Sequence, residues 1–286
     1  MQFNVIGAGR LGKNLALAIA GRQLANLIAI CNKSLTSAVN AVSAIGSGTA
    51  VAQLNALPPT DLTFITPPDD LISPIVRQLA EGKTIRPGSI VVHCSGVLSS
   101  EELQPLKGQG CLIASLHPLK AFAKGYLDNQ AFKNCDCIVE GDEEAIAVLS
   151  SIFDPLGAMI IPIKAEKKAG YHAAAVFSSN YLVTLASVSV ELLLNAGIDG
   201  RVAQQMAVRL MKSSLANVEQ ASTVSKALTG PLARGDIDTI KKHLDAIDSP
   251  AINTLYRAAA VATLSLTGLD NERKTVLHSL LLEKES

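Results

Sequence analysis

The sequence has no tryptophan, and only six Phe and four Tyr among 286 residues. It is also poor in charge: 17% of residues are Asp, Glu, Lys or Arg, in equal numbers of 25 acids and 25 bases. That balance excludes the basic face of a typical nucleic-acid binder and the polybasic stretch of a membrane-surface protein. Five cysteines, at 31, 94, 111, 135 and 137, form an odd and sparse set. Cys135-x-Cys137 has the spacing of neither a zinc knuckle nor a redox pair, so no metal is expected, and buried reduced thiols in a reducing compartment are. Acids are absent until Asp61, whereas Arg10, Lys13, Arg22 and Lys33 precede it. Met1 leads directly into Gln2-Phe3-Asn4-Val5-Ile6, so no leader is expected and a cytoplasmic location is. Ser178, Ser179, Asn180 and Glu191 interrupt the longest apolar stretch, from Ala173 to Ala196, which therefore reads as a buried helix rather than a membrane span.

What is present is enough apolar material, 48% of the chain, for a sizeable core, and a length that suits two domains or one large one. Short apolar runs at 2–6, 27–31, 62–66, 89–93, 112–116, 136–140 and 159–163 read as strands covered on both faces. Helical patterns between them imply a doubly wound, mostly parallel α/β sheet of the Rossmann type over residues 1–163. Ser99-Ser100-Glu101-Glu102 has the form of a capping box opening one of the helices. From Lys164 the strand signal stops. Helices are expected at about 167–196, 200–220, 236–247, 250–267 and 271–284, with Asp199, Asp236, Ser249 and Asp270 as N-caps and Gly197 as a terminator. Residues 164–286 thus form an all-helical domain, expected to carry the substrate end of the site and to dimerise the protein.

The strongest local signal is Gly7-Ala8-Gly9-Arg10-Leu11-Gly12, placed between an apolar strand and a helix. Gly7 suits a tight turn, Gly9 lets a pyrophosphate approach the backbone, and Gly12 allows close helix–strand packing, while the helix N-terminus attracts the phosphates. The plainer alternative is a glycine-rich turn without a ligand. At the end of the second strand, where an NAD enzyme usually offers a carboxylate to the ribose, stands Cys31-Asn32-Lys33-Ser34. Asn32, Lys33 and Ser34 suit a 2′-phosphate, so NADP is expected over NAD, unless Lys33 is only a solvated loop charge.

In an open parallel sheet, ligands lie beyond the carboxyl ends of the strands. Thr66-Pro67-Pro68, His93-Cys94-Ser95-Gly96 and His117-Pro118 arrive there, and Thr66, Pro67, Pro68 and Ser95 are expected to line the cofactor. His93 and His117 are each either catalytic or structural, and of the two His117 is the better acid–base candidate. At 100° per residue, His172, Val176, Ser179, Asn180, Val183 and Ser187 fall on one broad helix face, which makes His172 and Asn180 candidates for catalysis and Ser179 for substrate binding. His172 and Asn180 lie about 12 Å apart along such an axis, too far to form one catalytic pair. Lys168, four residues before His172, is a further candidate. Thr229 and Arg234, in the segment to Asp236, are candidates for holding an anionic substrate or the partner subunit's cofactor; the alternative there is a turn at Gly230-Pro231 and a cap at Asp236, with Arg234 a surface charge.

Taken together, Gly7–Gly12, Pro67-Pro68-Asp69, His93–Gly96, His117-Pro118-Leu119, Tyr171–Ala175 through Asn180, and Leu228–Asp236 resemble one family, Rossmann-like proteins with a C-terminal helical domain of unknown function. That family is similar to 6-phosphogluconate dehydrogenase, pyrroline-5-carboxylate reductase and deazaflavin-dependent NADP reductases. The resemblance implies a nicotinamide-nucleotide oxidoreductase, usually dimeric, acting on a small carbonyl, imine or hydroxyacid. The alternative function is a non-catalytic dinucleotide-binding sensor or scaffold. In the hydroxyacid relatives a Lys and an Asn four residues apart serve catalysis; here Lys168 is followed by His172.

Overall fold

A computed structural model of the chain describes residues 1–283 and divides into two compact units, the first ending at Ser179 and the second beginning at Asn180. The first unit contains eight strands: β1 (Gln2–Ile6), β2 (Asn26–Cys31), β3 (Thr49–Val51), β4 (Leu62–Ile65), β5 (Ile90–His93), β6 (Leu112–Pro118), β7 (Asp136–Gly141) and β8 (Met159–Pro162). They form one sheet in the order β3-β2-β1-β4-β5-β6-β7-β8. All pairings are parallel except that of β6 with β7. Residues 119–135 between those two strands supply no helical crossover, and without one the chain turns back antiparallel.

Side chains alternate between the two faces of the sheet, and both faces are covered. Phe3, Val5, Phe64, Val92, Ala114 and Leu116 enter one core. That core is closed by α1 (Arg10–Gly21), α2 (Leu35–Ile45) and α5 (Glu143–Phe153), through residues such as Leu15, Ala38 and Leu149. Ile6, Ile65, Val91 and Ile113 point to the other face, where α3 (Ile72–Glu81) and the short α4 (Gln104–Lys107) supply Val76, Leu79 and Leu106. This is the doubly wound, mostly parallel α/β arrangement the apolar strand pattern implies.

Three local expectations need correction. β3 was not foreseen, because three residues after Gly48 are too few to show a pattern. The capping box at 99–102 does not form. Ser99 makes no side-chain cap, Ser100 is drawn instead to Glu140, and Glu102 accepts a hydrogen bond from Ser73. The helix expected at 167–196 is interrupted: α6 (Lys168–Ser178) ends at Ser179, whose φ of −121° and ψ of −70° leave the helical region, and α7 (Asn180–Asn195) begins after it. Ser178, Ser179 and Asn180 all have side chains that compete for backbone partners, which favours a break there. The continuous stripe of polar residues drawn across 172–187 is therefore split, and α6 belongs to the sheet-containing unit.

The second unit is helical: α7, α8 (Gly200–Gln220), α9 (Pro231–Arg234), α10 (Ile237–Asp245), α11 (Pro250–Leu264) and α12 (Asn271–Leu282). Asp199, Asp236 and Asp270 cap α8, α10 and α12 by accepting from Arg201, Thr239 and Arg273 backbone amides, whereas Ser249 makes no side-chain cap. Gly197, at φ +84°, closes α7 with bonds from its own amide and that of Ile198 back to Leu194 and Leu193. The last expected helix residue, 284, lies outside the described residues. The core of this unit is built from α10, α11 and α12, with Ile240, Leu244, Leu264, Leu277 and Leu281 at its centre. α7 lies apart from that core. It was expected to be buried, yet none of its residues is, and Val183 is 70% exposed.

Candidate functional site

The turn after β1 is built to leave one face open. Gly7 has φ +84°, and a Cβ there would lie 2.6 Å from Pro67 N, so only glycine fits. A Cβ on Gly12 would run into Thr66 Oγ1 and lie 3.3 Å from Val5 Cγ1, so α1 packs directly on the strands. Gly9 differs: a Cβ there meets nothing nearer than Gly7 O at 3.8 Å. Its outer side is free for a ligand. Gly9 offers no side-chain cap and the first turn of α1 carries no acid. The amides of Arg10, Leu11 and Gly12 thus open the helix without intrahelical acceptors, at the positive end of its dipole. These residues fit a pyrophosphate.

Neighbouring side chains hold that turn. The Ala8 amide donates to Asn32 Oδ1 at 2.6 Å, and Asn32 Nδ2 donates to Ser37 O. Thr66 Oγ1 donates to Gly7 O at 2.9 Å. Ser34 caps α2 by accepting from the Ser37 amide. Of the three residues expected to meet the adenosine ribose and its phosphate, Asn32 therefore fixes the loop and Ser34 the following helix. Lys33 is exposed and forms no ion pair among the described residues; Pro67 stands against Gly7 as the adjoining wall, and Pro68 leads into the turn at Asp69.

Strand register carries the site sideways. Ile6 pairs with Ile65, Ile65 with His93, and His93 with Ser115. Three inter-strand steps of about 4.8 Å place the end of β6 about 14 Å from the glycine turn. At that distance His117, Tyr171 and His172 come together. His117 Nδ1 lies 2.7 Å from Tyr171 Oη, and the two imidazole rings are 5.8 Å apart, centre to centre, at 70°. Gly96 makes room for them: a Cβ there would lie 3.0 Å from His117 Nε2 and collide with the His172 ring. Burial, the nearby His172 and the Lys168 charge hold His117 down at about 4, against an opposing pull from Asp69. His117 is therefore neutral at pH 7.

His93, the other strand-end histidine, is structural. Its Nε2 donates to Ser99 O at 2.8 Å and its Nδ1 accepts from the Ser95 amide, which occupies both ring nitrogens. The Ser95 hydroxyl accepts from the Val97 and Leu98 amides and so shapes the turn. Cys94, buried, is pushed up to about 12 by that burial and is an inert thiol. All five cysteines are free and buried, as the sequence suggested.

Beneath the histidines lies a buried ion pair that sequence reasoning missed. Lys168, expected at the mouth of the helix facing His172, is instead 1% exposed and turned into the sheet. Its Nζ donates to Ser95 O at 3.1 Å and to Ser115 Oγ, and lies 3.7 Å from Glu140 Oε1. Glu140 also accepts from the Ser100 amide and hydroxyl, both at 2.7 Å. Burial pulls the lysine below its ordinary value and Glu140 opposes the shift. The available signal was an acid inside the apolar run Cys137-Ile138-Val139-Glu140.

The remaining expected residues lie at the end of the first unit and within the second. Ser179 is the exposed residue at the break after α6, and Asn180, exposed, opens α7 in the second unit. Thr229 precedes Gly230, which has φ +94°; Pro231 then starts α9, Gly235 ends it, and Asp236 caps α10. The segment is thus a turn and a cap, with Arg234 in the last turn of α9.

The two halves match known domain models. A model for a Rossmann-like domain matches residues 1–118, and a model described as a domain of unknown function, DUF2520, matches residues 135–263. The chain carries a Rossmann-like domain followed by a DUF2520 domain. No curated protein matches it in sequence. Among solved structures, it is similar to a Bacteroides fragilis protein provisionally named an NADP oxidoreductase, with 22% identity and a TM-score of 0.76 over 92% of this chain and 98% of that one. A Thermotoga maritima protein with no activity in its name is 26% identical, with a TM-score of 0.70 over 92% and 97%. The pyrroline carboxylate reductase of Plasmodium falciparum, solved with NADP bound, is 12% identical, with a TM-score of 0.58 over 98% and 97%. The fold is shared with NAD(P)-dependent oxidoreductases.

Proposed function

We propose that the protein is an NADP-dependent oxidoreductase acting on a small carbonyl, imine or hydroxyacid. The observation that carries this reading is the meeting of His117 and His172 over Gly96, at the same carboxyl end of the parallel strands as the glycine turn. The amides of Arg10, Leu11 and Gly12 receive the pyrophosphate, and Lys33, beyond an acid-free strand end, favours a 2′-phosphate. When bound, the nicotinamide supplies or takes up the hydride. Reduction of a C=O or C=N bond leaves an atom that must gain a proton. His172 is the group assigned to deliver it, with His117 beside it as a neutral hydrogen-bonding partner.

The cofactor preference is tested by the fluorescence of the reduced nicotinamide, which the absence of tryptophan leaves free of its usual background. NADPH is expected to bind about tenfold more tightly than NADH, the magnitude of one charge-assisted phosphate contact at an exposed site, and Lys33→Ala is expected to remove most of the difference. Equal affinities would remove the preference. No binding of either, with no turnover in a broad carbonyl and imine screen, would remove the function.

The reading includes a homodimer formed through the second unit. α7 has no buried residue, and an apolar groove between α7 and α8 is lined by Leu192, Leu193, Met206 and Leu210. By length and composition, 165–195 is also apolar enough to cross a membrane. A second copy is the expected cover, and sedimentation at micromolar concentration is expected to give twice the chain mass. A detergent-free stable monomer, or partition into vesicles, would contradict it.

A further inference from the structure

The orientation of the neutral His117 ring is set by its surroundings. His117 has two ring nitrogens, and only Nδ1 has a protein partner, Tyr171 Oη at 2.7 Å. Among the described residues, the only buried polar side-chain atom lacking a partner is Ser47 Oγ. His117 Nε2, also without one, therefore reaches solvent near the end of β6, beside Gly96.

We propose that Tyr171 is a positioning residue: its hydroxyl donates to His117 Nδ1 and fixes the imidazole with its proton on Nε2, where that N–H can bind a substrate carbonyl oxygen or imine nitrogen. The direction follows from counting donors. A phenol has one proton, and a neutral imidazole has one N–H and one acceptor nitrogen. If His117 Nδ1–H donated to Tyr171, the phenol proton would have no acceptor among the described residues. If Tyr171 donates, the half-buried phenol needs no water to take its proton, and a single N–H is left facing outward. Burial pushes the Tyr171 hydroxyl up to about 12, so it keeps its proton at neutral pH, and His117 stays neutral there for the reasons already given. A neutral imidazole donor of this kind polarises a developing oxyanion without itself giving up the proton. His172, on the next residue of α6, then delivers the proton.

The protein contains its own control. In the second unit His243 Nδ1 lies 2.9 Å from Tyr256 Oη, in a similar edge-to-face pair to which no cofactor or substrate role is assigned.

This inference rests on the proposed function for its use of the N–H, but the tautomer itself is testable without a substrate. The experiment is long-range proton–nitrogen NMR on protein labelled with ¹⁵N-histidine at pH 7, with His117→Gln identifying the His117 signals among five histidines. The wild type is expected to show His117 protonated on Nε2 alone. Tyr171→Phe is expected to give a tautomer mixture at His117, to leave NADPH fluorescence titration within twofold, and to lower turnover of any substrate found at least tenfold with KM within threefold. Tyr256→Phe is expected to alter only the His243 signals. A His117 that carries its proton on Nδ1, or is charged, or is unchanged in Tyr171→Phe, would overturn the proposal. Loss of NADPH binding in the wild type would instead overturn the function and leave the tautomer result standing.

Discussion

Replacing Glu140 by alanine is expected to lower the stability of the protein by about 3–5 kcal/mol, the usual cost of leaving one member of a buried ion pair without its partner. Lys168 would remain at 1% exposure with only Ser95 O and Ser115 Oγ to hold its charge, and the Ser100 amide would lose its acceptor. The ammonium and carboxylate stand 3.7 Å apart, so the pair owes its worth less to direct bonding than to charge neutrality in a medium that screens poorly. This gives a second expectation. Removing both charges, as in Glu140→Ala with Lys168→Met, restores more than half of the loss, because an uncharged pair carries no desolvation penalty. Urea unfolding of the two variants beside the wild type reads both effects. A Glu140→Ala protein within about 1 kcal/mol of wild type would show that water reaches Lys168 and that the pair is not an anchor. The consequence for the site is direct. Lys168 opens α6, and Tyr171 and His172 follow one turn later, so the same anchor sets where both meet His117.

Periodic features were legible in the sequence, and long-range polar ones were not. Seven of the eight strands follow from apolar runs, since an interior strand covered on both faces must be apolar throughout; β8, at the sheet's end, is apolar but not covered, with Met159 61% exposed. β3, with three residues, offers no such run. Three of the four expected helix caps form because Asp accepts locally from an amide two or three residues on, a relation confined to neighbours in sequence. Ser99 and Glu102 show the same local pattern and fail, because Ser100 and Glu102 find stronger partners in Glu140 and Ser73, far away in sequence. His117 and His172 could be named as candidates from position, but not the agents that place them. Gly96 reads as a loop residue, Tyr171 as part of a motif, and Lys168 as a candidate facing His172 at the helix mouth, since what each touches lies many residues away. The exposure of α7 is a similar case: apolarity on every face says that something covers the helix, and sequence alone does not say what.

The first two glycines of the turn after β1, Gly7 and Gly9, should fail in different ways. Gly7→Ala places a side chain at φ +84° and a Cβ 2.6 Å from the Pro67 backbone nitrogen, which cannot swing aside as a side chain would. The left-handed conformation costs about 1–2 kcal/mol and the overlap about 1–3 kcal/mol more, so a loss of roughly 2–5 kcal/mol in unfolding free energy is expected. Cofactor affinity should fall with it, because Pro67 must move and Thr66, the donor to Gly7 O, moves too. Gly9→Ala meets no protein atom within 3.8 Å and has φ −78°, so its stability should stay within about 1 kcal/mol of wild type. Its new methyl stands on the open side of the turn, where a pyrophosphate would approach the amides of α1. NADPH affinity is therefore expected to fall by about 100-fold, roughly 2.7 kcal/mol, in a protein that unfolds normally. Thermal or urea unfolding paired with the fluorescence titration separates the two. If Gly9→Ala binds NADPH as the wild type does, the open face of the turn is not where the dinucleotide lies, whatever Gly7→Ala does to the fold.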